Sequence, residues 1–283
     1  MKTILITGAN GQLGNEMRNL ARANSAHTYF FTDVAELDIC NEQAIGDFVN
    51  QHHIDLIVNC AAYTAVDAAE DNTELNDRLN HLAPGYLARA IEARGGAIIH
   101  VSTDYVFDGT NYTPYSEDAP TCPTSAYGTA KLAGEQQVLA GCENAVVIRT
   151  AWLYSTYGNN FVKTMIRLGK ERQTLGVIFD QVGTPTYARD LAMAIYAVIN
   201  KGIVRGTYHF SNEGVCSWYD FTVAIHRLAG ITTCKVAPIH TADYPTKVAR
   251  PHYSVLDKTK IKRTFDIEIP HWEASLADCI KCL

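Results

Sequence analysis

Tyr127-Gly128-Thr129-Ala130-Lys131 sets a phenol and an ammonium four residues apart at the start of a segment with helical character, so both fall on one helix face. The pair suits proton transfer at a carbonyl. A phenol with a pKa of about 10 is a poor acid-base group at neutral pH, and a neighbouring ammonium stabilises its phenolate. A second polar string, Val101-Ser102-Thr103-Asp104-Tyr105-Val106-Phe107-Asp108-Gly109, stands at the C-terminal end of a predicted strand. Open α/β sheets bind their ligands at such strand ends. A Tyr/Lys pair alone is more often a surface feature; in combination with the strand end it points to chemistry.

A third string lies near the N-terminus. Gly8-Ala9-Asn10-Gly11-Gln12-Leu13-Gly14 follows the first predicted strand and opens a helix. Gly8 is expected to let the strand turn sharply, Gly11 to let backbone approach a pyrophosphate, and Gly14 to let the helix pack on the sheet. Free N–H groups and the helix dipole then favour phosphate charge. Asp33 ends the second predicted strand, about twenty residues further on, where an acid that hydrogen-bonds the adenine ribose belongs; a turn residue or a helix cap is its other reading. A carboxylate there repels a 2′-phosphate and leans the site towards NAD(H), a preference that Arg18 or Arg22 would soften. Asp38-Ile39 is placed at the border of the adenine.

The elements needed to position these strings are short apolar strands alternating with amphipathic helices. Lys2–Thr7, Tyr29–Thr32, Leu56–Cys60, Ala97–Ser102 and Val146–Arg149 read as strands; Glu16–Asn24, Asn41–His52, Ala83–Ala93 and Ala126–Leu139 read as helices. Such strands bury both faces only in a parallel sheet with helices on each side. The expected fold is therefore α/β, a doubly wound parallel sheet of Rossmann type with a smaller C-terminal α/β substrate-binding cap. Residues 1–150 are assigned to the dinucleotide-binding domain and 151–283 mainly to the cap. A segment near 176–202, with a helix over Asp190–Asn200, is expected to return to the first domain, and His209–Leu283 reads as mixed α/β cap.

Composition bounds the partners. The 283 residues carry 24 Lys+Arg against 30 Asp+Glu, a net charge of −6, so no global positive field gathers nucleic acid or anionic membrane. No apolar run reaches membrane-spanning length, and Met1-Lys2-Thr3-Ile4-Leu5-Ile6-Thr7-Gly8 breaks off too early for a signal segment, so a cytoplasmic location is expected. The eight cysteines are scattered and read as free thiols. Cys279 and Cys282 form a CxxC without a second ligand pair and read as helix-face thiols rather than a zinc site. His209 is expected to pack beneath the cap and not to take part in catalysis.

The glycine turn, the hydroxyl-bearing strand end and the Tyr-x-x-x-Lys pair, in that order, resemble the extended short-chain dehydrogenase/reductases. Asn59-Cys60-Ala61-Ala62-Tyr63-Thr64-Ala65-Val66-Asp67, Ser102 to Gly109, Arg149-Thr150-Ala151-Trp152-Leu153-Tyr154 and Gly183-Thr184-Pro185-Thr186 are similar to the dTDP-4-dehydrorhamnose reductases among them. The resemblance implies reduction by NADH or NADPH of dTDP-4-dehydro-L-rhamnose to dTDP-L-rhamnose, the last step in making that nucleotide sugar. Carried over, Tyr127 donates the proton to the C4 oxygen, Lys131 holds the nicotinamide ribose and depresses the phenol pKa, and Thr103 aligns the carbonyl. Asp104 and Trp152 match substrate-contacting positions, with core packing the other reading of Trp152. Ala61, Ala62 and Tyr63 pass beneath the cofactor, and Gly11, Gln12 and Leu13 meet its phosphates. Arg250 is the candidate for the substrate pyrophosphate, an exposed structural arginine being its alternative.

The departures from related patterns are also informative. Some members hold a divalent metal at a dimer interface through glutamates; here Glu16 could supply one ligand, but Arg189 stands where another acid is wanted, so no metal is expected and monomer or homodimer stays open. Nucleotide-sugar dehydratases place Thr-Asp-Glu at the strand end, whereas this chain has Thr103-Asp104-Tyr105, and Tyr105 cannot serve as a carboxylate base. A related epimerase/reductase, and a non-enzymatic partner like the regulatory subunit of methionine adenosyltransferase, are the alternatives; Thr103, Tyr127 and Lys131 together favour an enzyme.

Overall fold

In a computed structural model, whose described residues are 1–24 and 26–283, the first half of the chain alternates strand and helix. Its elements are β1 (Thr3–Thr7), α1 (Gln12–Ala23), β2 (Thr28–Thr32), α2 (Glu42–Gln51), β3 (Leu56–Asn59), α3 (Val66–Ala69), α4 (Thr73–Asp77), a π-helical turn at Arg78–Leu82, α5 (Ala83–Glu92), β4 (Ala97–Thr103), α6 (Ala126–Gly141) and β5 (Ala145–Thr150). The second half adds β6 (Leu153–Tyr154), α7 (Phe161–Glu171), β7 (Thr174–Ile178), β8 (Val182–Gly183), β9 (Thr186–Tyr187), α8 (Ala188–Lys201), β10 (Gly206–His209), β11 (Cys216–Ser217), α9 (Trp218–Leu228), β12 (Lys235–Ile239), α10 (Thr259–Phe265) and α11 (Trp272–Lys281).

Six strands form one parallel sheet in the order β10-β5-β4-β3-β1-β2. The side-chain alternation of the strands divides the core into two layers. Ile4, Ile6, Val58 and Ile99 face α1, α8 and α10 through Met17, Ile195 and Phe265. Leu5, Ile57, Ile98 and Val147 face α2, α5 and α6 through Val49, Leu87 and Val138. A further core, built from Val162, Phe221, Ile225 and Leu276, joins α7, α9 and α11.

Four features differ from expectation. Helix α1 begins at Gln12, so Gly14 lies inside its first turn. The sheet has a sixth strand, β10, whose short Gly-Thr-Tyr-His sequence lacks the apolar run of a central strand because it pairs only with β5, at the edge. Within 209–283, α10 brings Ile261 and Phe265 back to the core of the main sheet. Of residues 176–202, α8 packs in that same core, while β7 pairs with β12 and β8 with β11.

Candidate active site

The turn between β1 and α1 is built around glycine. Gly8 has φ of +62°, and a Cβ there would lie 2.7 Å from the Ala61 backbone, so β3 and the turn approach as closely as backbone permits. A Cβ on Gly14 would stand 2.4 Å from the Gly8 carbonyl oxygen and 2.5 Å from Ala9 Cα. Gly14 therefore fits the helix against the turn itself rather than against the sheet. Gly11 is the N-cap and offers no side chain to the helix end, and the first intrahelical bond runs from Asn15 N–H to Gly11 O (3.1 Å). The N–H groups of Gln12, Leu13 and Gly14 lie ahead of it. The Leu13 side chain is in the core, so only its backbone is available to a ligand.

Asp33, at the end of β2, braces this turn: its two carboxylate oxygens accept from Asn10 N–H (3.1 Å) and Val34 N–H (2.8 Å). Arg18 lays its guanidinium over the Phe31 ring at 5.1 Å. Asp38 accepts from Cys40 N–H (2.9 Å), and Ile39 is a core residue beside α2. On the other flank, Ala61 N–H donates to Asn59 (3.2 Å), and Tyr63 is gripped at both backbone groups by Asn80, which accepts from its N–H (3.1 Å) and donates to its carbonyl (2.9 Å). Asn80 sits in the π-helical turn, a distortion that often marks a functional site.

Helix α6 presents the Tyr/Lys pair. Ser125 caps it by accepting from Gly128 N–H (3.1 Å), and Glu70 accepts from Ala126 N–H (2.8 Å). A Cβ on Gly128 would be 2.3 Å from the Tyr105 carbonyl oxygen, so the helix start lies directly on the end of β4. Tyr127 is 8% exposed and meets Tyr105 edge-on, with ring centroids 5.6 Å apart. Burial raises its pKa, the Thr103 hydroxyl pulls it down, and the Asp104 charge raises it further. The phenol is thus held protonated; the expected depression of its pKa by Lys131 is not found, because burial outweighs the pull of its neighbours. Lys131 is buried; its Nζ donates to Val101 O (2.7 Å), and burial lowers its pKa to about 8 against the opposing pull of Glu135.

Beyond this trio opens a cavity of about 720 Å³, within the range of small-molecule sites, whose walls include Asp104, Tyr105, Trp152, Trp218 and Arg250. Thr103 donates to Asp104 Oδ1 (2.9 Å), while Oδ2, although buried, has no hydrogen-bond partner among the described residues. Burial raises the Asp104 pKa to about 6. Trp152 has φ of +50° and stacks on Trp218 with centroids 3.5 Å apart. Gly183 makes room for it: a Cβ there would lie 2.8 Å from the indole. Arg250 is tied to Asp67 by a two-point pair (3.0 and 2.5 Å), and those bonds hold the Asp67 carboxyl below the usual range. The cavity thus brings Asp104, Trp152 and Arg250 together next to the Tyr127 and Thr103 pair.

Sequence reasoning gave no part to Asp67 as the anchor of Arg250, to Trp218, to Asn80, or to His100, which contacts Lys131 from β4. Only His100 carried a local signal, a polar residue inside the apolar run Ile98-Ile99-His100-Val101. His209 is buried, and its Nδ1 lies 3.1 Å from Tyr115 O; burial lowers its pKa to about 3. Among the described residues no group of three or more His, Cys, Asp or Glu is placed to hold a metal ion, and no helix is long and apolar enough to cross a membrane.

A doubly wound parallel sheet with a glycine turn opening α1, and a buried Tyr/Lys helix start seated on the end of β4, define a Rossmann-type short-chain dehydrogenase/reductase. More narrowly, the chain belongs to the family described as RmlD substrate binding domain, whose model matches residues 1–283. It is 41% identical to the dTDP-4-dehydrorhamnose reductase of Aggregatibacter actinomycetemcomitans, covering 98% of this chain and 97% of that one. Among solved structures it is similar to a dTDP-4-dehydrorhamnose reductase from Clostridium acetobutylicum (TM-score 0.95, 45% identity, 99% of each chain). The reductase from Bacillus anthracis in complex with NADP is similar also (TM-score 0.95, 37% identity, 100% of this chain and 99% of that one).

Proposed function

We propose that this protein uses NADH or NADPH to reduce the C4 keto group of dTDP-4-dehydro-L-rhamnose, giving dTDP-L-rhamnose. The observation that carries the reading is the buried Thr103, Tyr127 and Lys131 set beside a cavity walled by Asp104, Trp152 and Arg250. The glycine turn fits a dinucleotide: Gly8 and Gly14 leave no room for a Cβ, and the N–H groups that lead α1 have no backbone partner among the described residues. In the bound complex Gly11, Gln12 and Leu13 would hold the pyrophosphate through backbone, with Ala61, Ala62 and Tyr63 along the opposite edge. Asp33 would reach the adenine ribose, and Asp38 and Ile39 would lie towards the adenine. The nicotinamide supplies a hydride to C4.

Tyr127 gives its phenolic proton to the C4 oxygen as charge develops there, and the Thr103 hydroxyl, turning its one proton from Asp104 to the same oxygen, fixes its direction. Lys131 stabilises the phenolate left behind and anchors the nicotinamide ribose. Asp104 Oδ2 accepts from a sugar hydroxyl, Trp152 packs on the sugar nucleotide, and Arg250, presented at the cavity wall by Asp67, takes the pyrophosphate charge. In this reading residues 1–150 supply most of the dinucleotide site and 151–283 most of the sugar-nucleotide site. A nicotinamide cofactor and a nucleotide sugar as reactants support a cytoplasmic location.

The test is to supply dTDP-4-dehydro-L-rhamnose with each cofactor and follow loss of nicotinamide absorbance together with formation of dTDP-L-rhamnose. Turnover with at least one cofactor is expected; none with either overturns the reading.

A further inference from the structure

A line of buried polar side chains runs behind Lys131 through an otherwise apolar sheet layer. Thr7, Asn59 and His100 are register neighbours on β1, β3 and β4, so they share one face. All three are buried, and so is Lys131 at the end of the line. Thr7 Oγ1 donates to Asn59 Oδ1 (2.7 Å), Asn59 Nδ2 lies 3.0 Å from His100 Nδ1, and His100 Nε2 lies 3.4 Å from Lys131 Nζ.

The direction of these bonds follows from the backbone. Ala61 N–H can only donate, and it points at Asn59 Oδ1 (3.2 Å), which fixes that atom as oxygen and turns the amide nitrogen towards His100. Nδ1 of His100 must then accept, so a neutral imidazole carries its proton on Nε2, facing Lys131. Burial, followed by the Lys131 charge, holds the His100 pKa well below its usual value, which keeps the ring neutral. An N–H aimed at Nζ complements the lone pair of an amine and opposes an ammonium.

We propose that His100 is a positioning residue for the reduction, one that sets the proton affinity of Lys131 through this Nε2–H contact. The proposal rests on the reductase reading given above. After Tyr127 has passed its proton to the C4 oxygen, the phenolate must regain one; a lysine whose amine form is stabilised releases its proton to Tyr127 more readily and recovers it from solvent, so each turnover draws one proton from water. Among the described residues, the charged and titratable groups that bear on Lys131 are His100 from β4, by contact, and Glu135 on its own helix, by charge; Tyr127 stands one helical turn away. Arg149 of β5 is ion-paired to Glu135 at 2.7 Å, which blunts the pull of that carboxylate.

The test reads Lys131 directly, by the pH titration of its 13C-labelled Cε resonance, assigned by loss in Lys131→Arg, and compares it with the alkaline limb of the kcat profile. His100→Leu removes the facing donor and should raise both by about one pH unit. His100→Gln, which can offer an N–H, should stay within about half a unit of wild type. Asn59→Asp gives Nδ1 an acceptor, moves the imidazole proton to Nδ1 and turns Nε2 into an acceptor for the ammonium; it should raise the Lys131 titration even if His100→Leu fails to fold. A folded His100→Leu or Asn59→Asp protein in which Lys131 titrates as in wild type overturns the proposal. The resonance needs neither substrate nor cofactor, so absence of turnover in the wild type would count against the reductase reading alone.

Discussion

The two walls of the cavity hold their residues by different means. On the sheet wall, Thr103 ends a buried strand, and Tyr127 and Lys131 project from a helix capped by Ser125 and fastened at Ala126 by Glu70. On the cap wall, Trp152 sits at positive φ against Trp218, and Arg250 lies in a loop fastened to α3 and its flank by Asp67 and by the Lys247–Asp71 pair. Under the proposed function, proton transfer, which tolerates little displacement, would rest on continuous, buried secondary structure. Under the same proposal, substrate recognition would be left to side chains that bridge distant segments, where binding and release require some give.

If that contrast is right, changes on the sheet wall act on stability and turnover. Arg149 and Glu135 form a buried pair there, with side chains only 6% and 3% exposed. Arg149→Leu leaves the carboxylate buried and unpaired and should cost about 3–5 kcal/mol of unfolding free energy, read by urea denaturation. A cost below about 1 kcal/mol, the scale of an exposed pair, would break the picture of a rigid wall. Tyr127→Phe should lower kcat by about 10²-fold or more, the scale of a lost general acid, with cofactor affinity by fluorescence titration unchanged. Wild-type turnover in that variant would remove Tyr127 from the mechanism.

Asp104 stands where the walls meet and links the contrast to pH. Burial raises its pKa from 3.8 to about 6, so between those values the folded protein holds a proton that the unfolded chain releases. Its contribution to stability is present below the unfolded pKa and is lost as pH rises through the folded one, to the extent of about 3 kcal/mol. The difference between wild-type and Asp104→Asn unfolding curves from about pH 4 to pH 6 isolates this group. A flat difference would mean that water or a neighbour satisfies the carboxylate.

The same division governs what could be read from the chain. The glycine turn and the Tyr-x-x-x-Lys helix are local patterns with a fixed period, and the strands and helices of the first half fall close to their expected places. Position along the chain does not encode the partners that hold those residues. Asp67 and Arg250 are 183 residues apart, Asn59 and His100 are 41, and no spacing rule joins them. Strand β10 escaped notice because an edge strand of four residues, half of them polar, lacks the apolar run by which its neighbours are recognised.

On the cap wall the expected effects are smaller and fall on binding. Asp67→Ala frees Arg250 from the contact that orients it, and KM for the nucleotide sugar should rise about tenfold, equivalent to about 1.4 kcal/mol, with kcat within about twofold of wild type. A fall in kcat without a change in KM would move Asp67 to the proton-transfer side of the site and break the contrast.

Lys247→Ala sharpens that result by removing the other fastening of the same loop. Its side chain and that of Asp71 are 48% and 68% exposed, so solvent screens the pair and its loss should cost under about 1 kcal/mol in stability. Lys247 donates to Asp71, whereas Asp67 holds both the Val248 N–H (3.0 Å) and the Arg250 guanidinium. If presentation of Arg250 is the task of the loop, Lys247→Ala should leave KM within about twofold of wild type, well short of the Asp67→Ala effect. Equal losses in the two variants, measured side by side at one ionic strength, would show instead that recognition depends on closure of the whole loop, with Arg250 only one part of it.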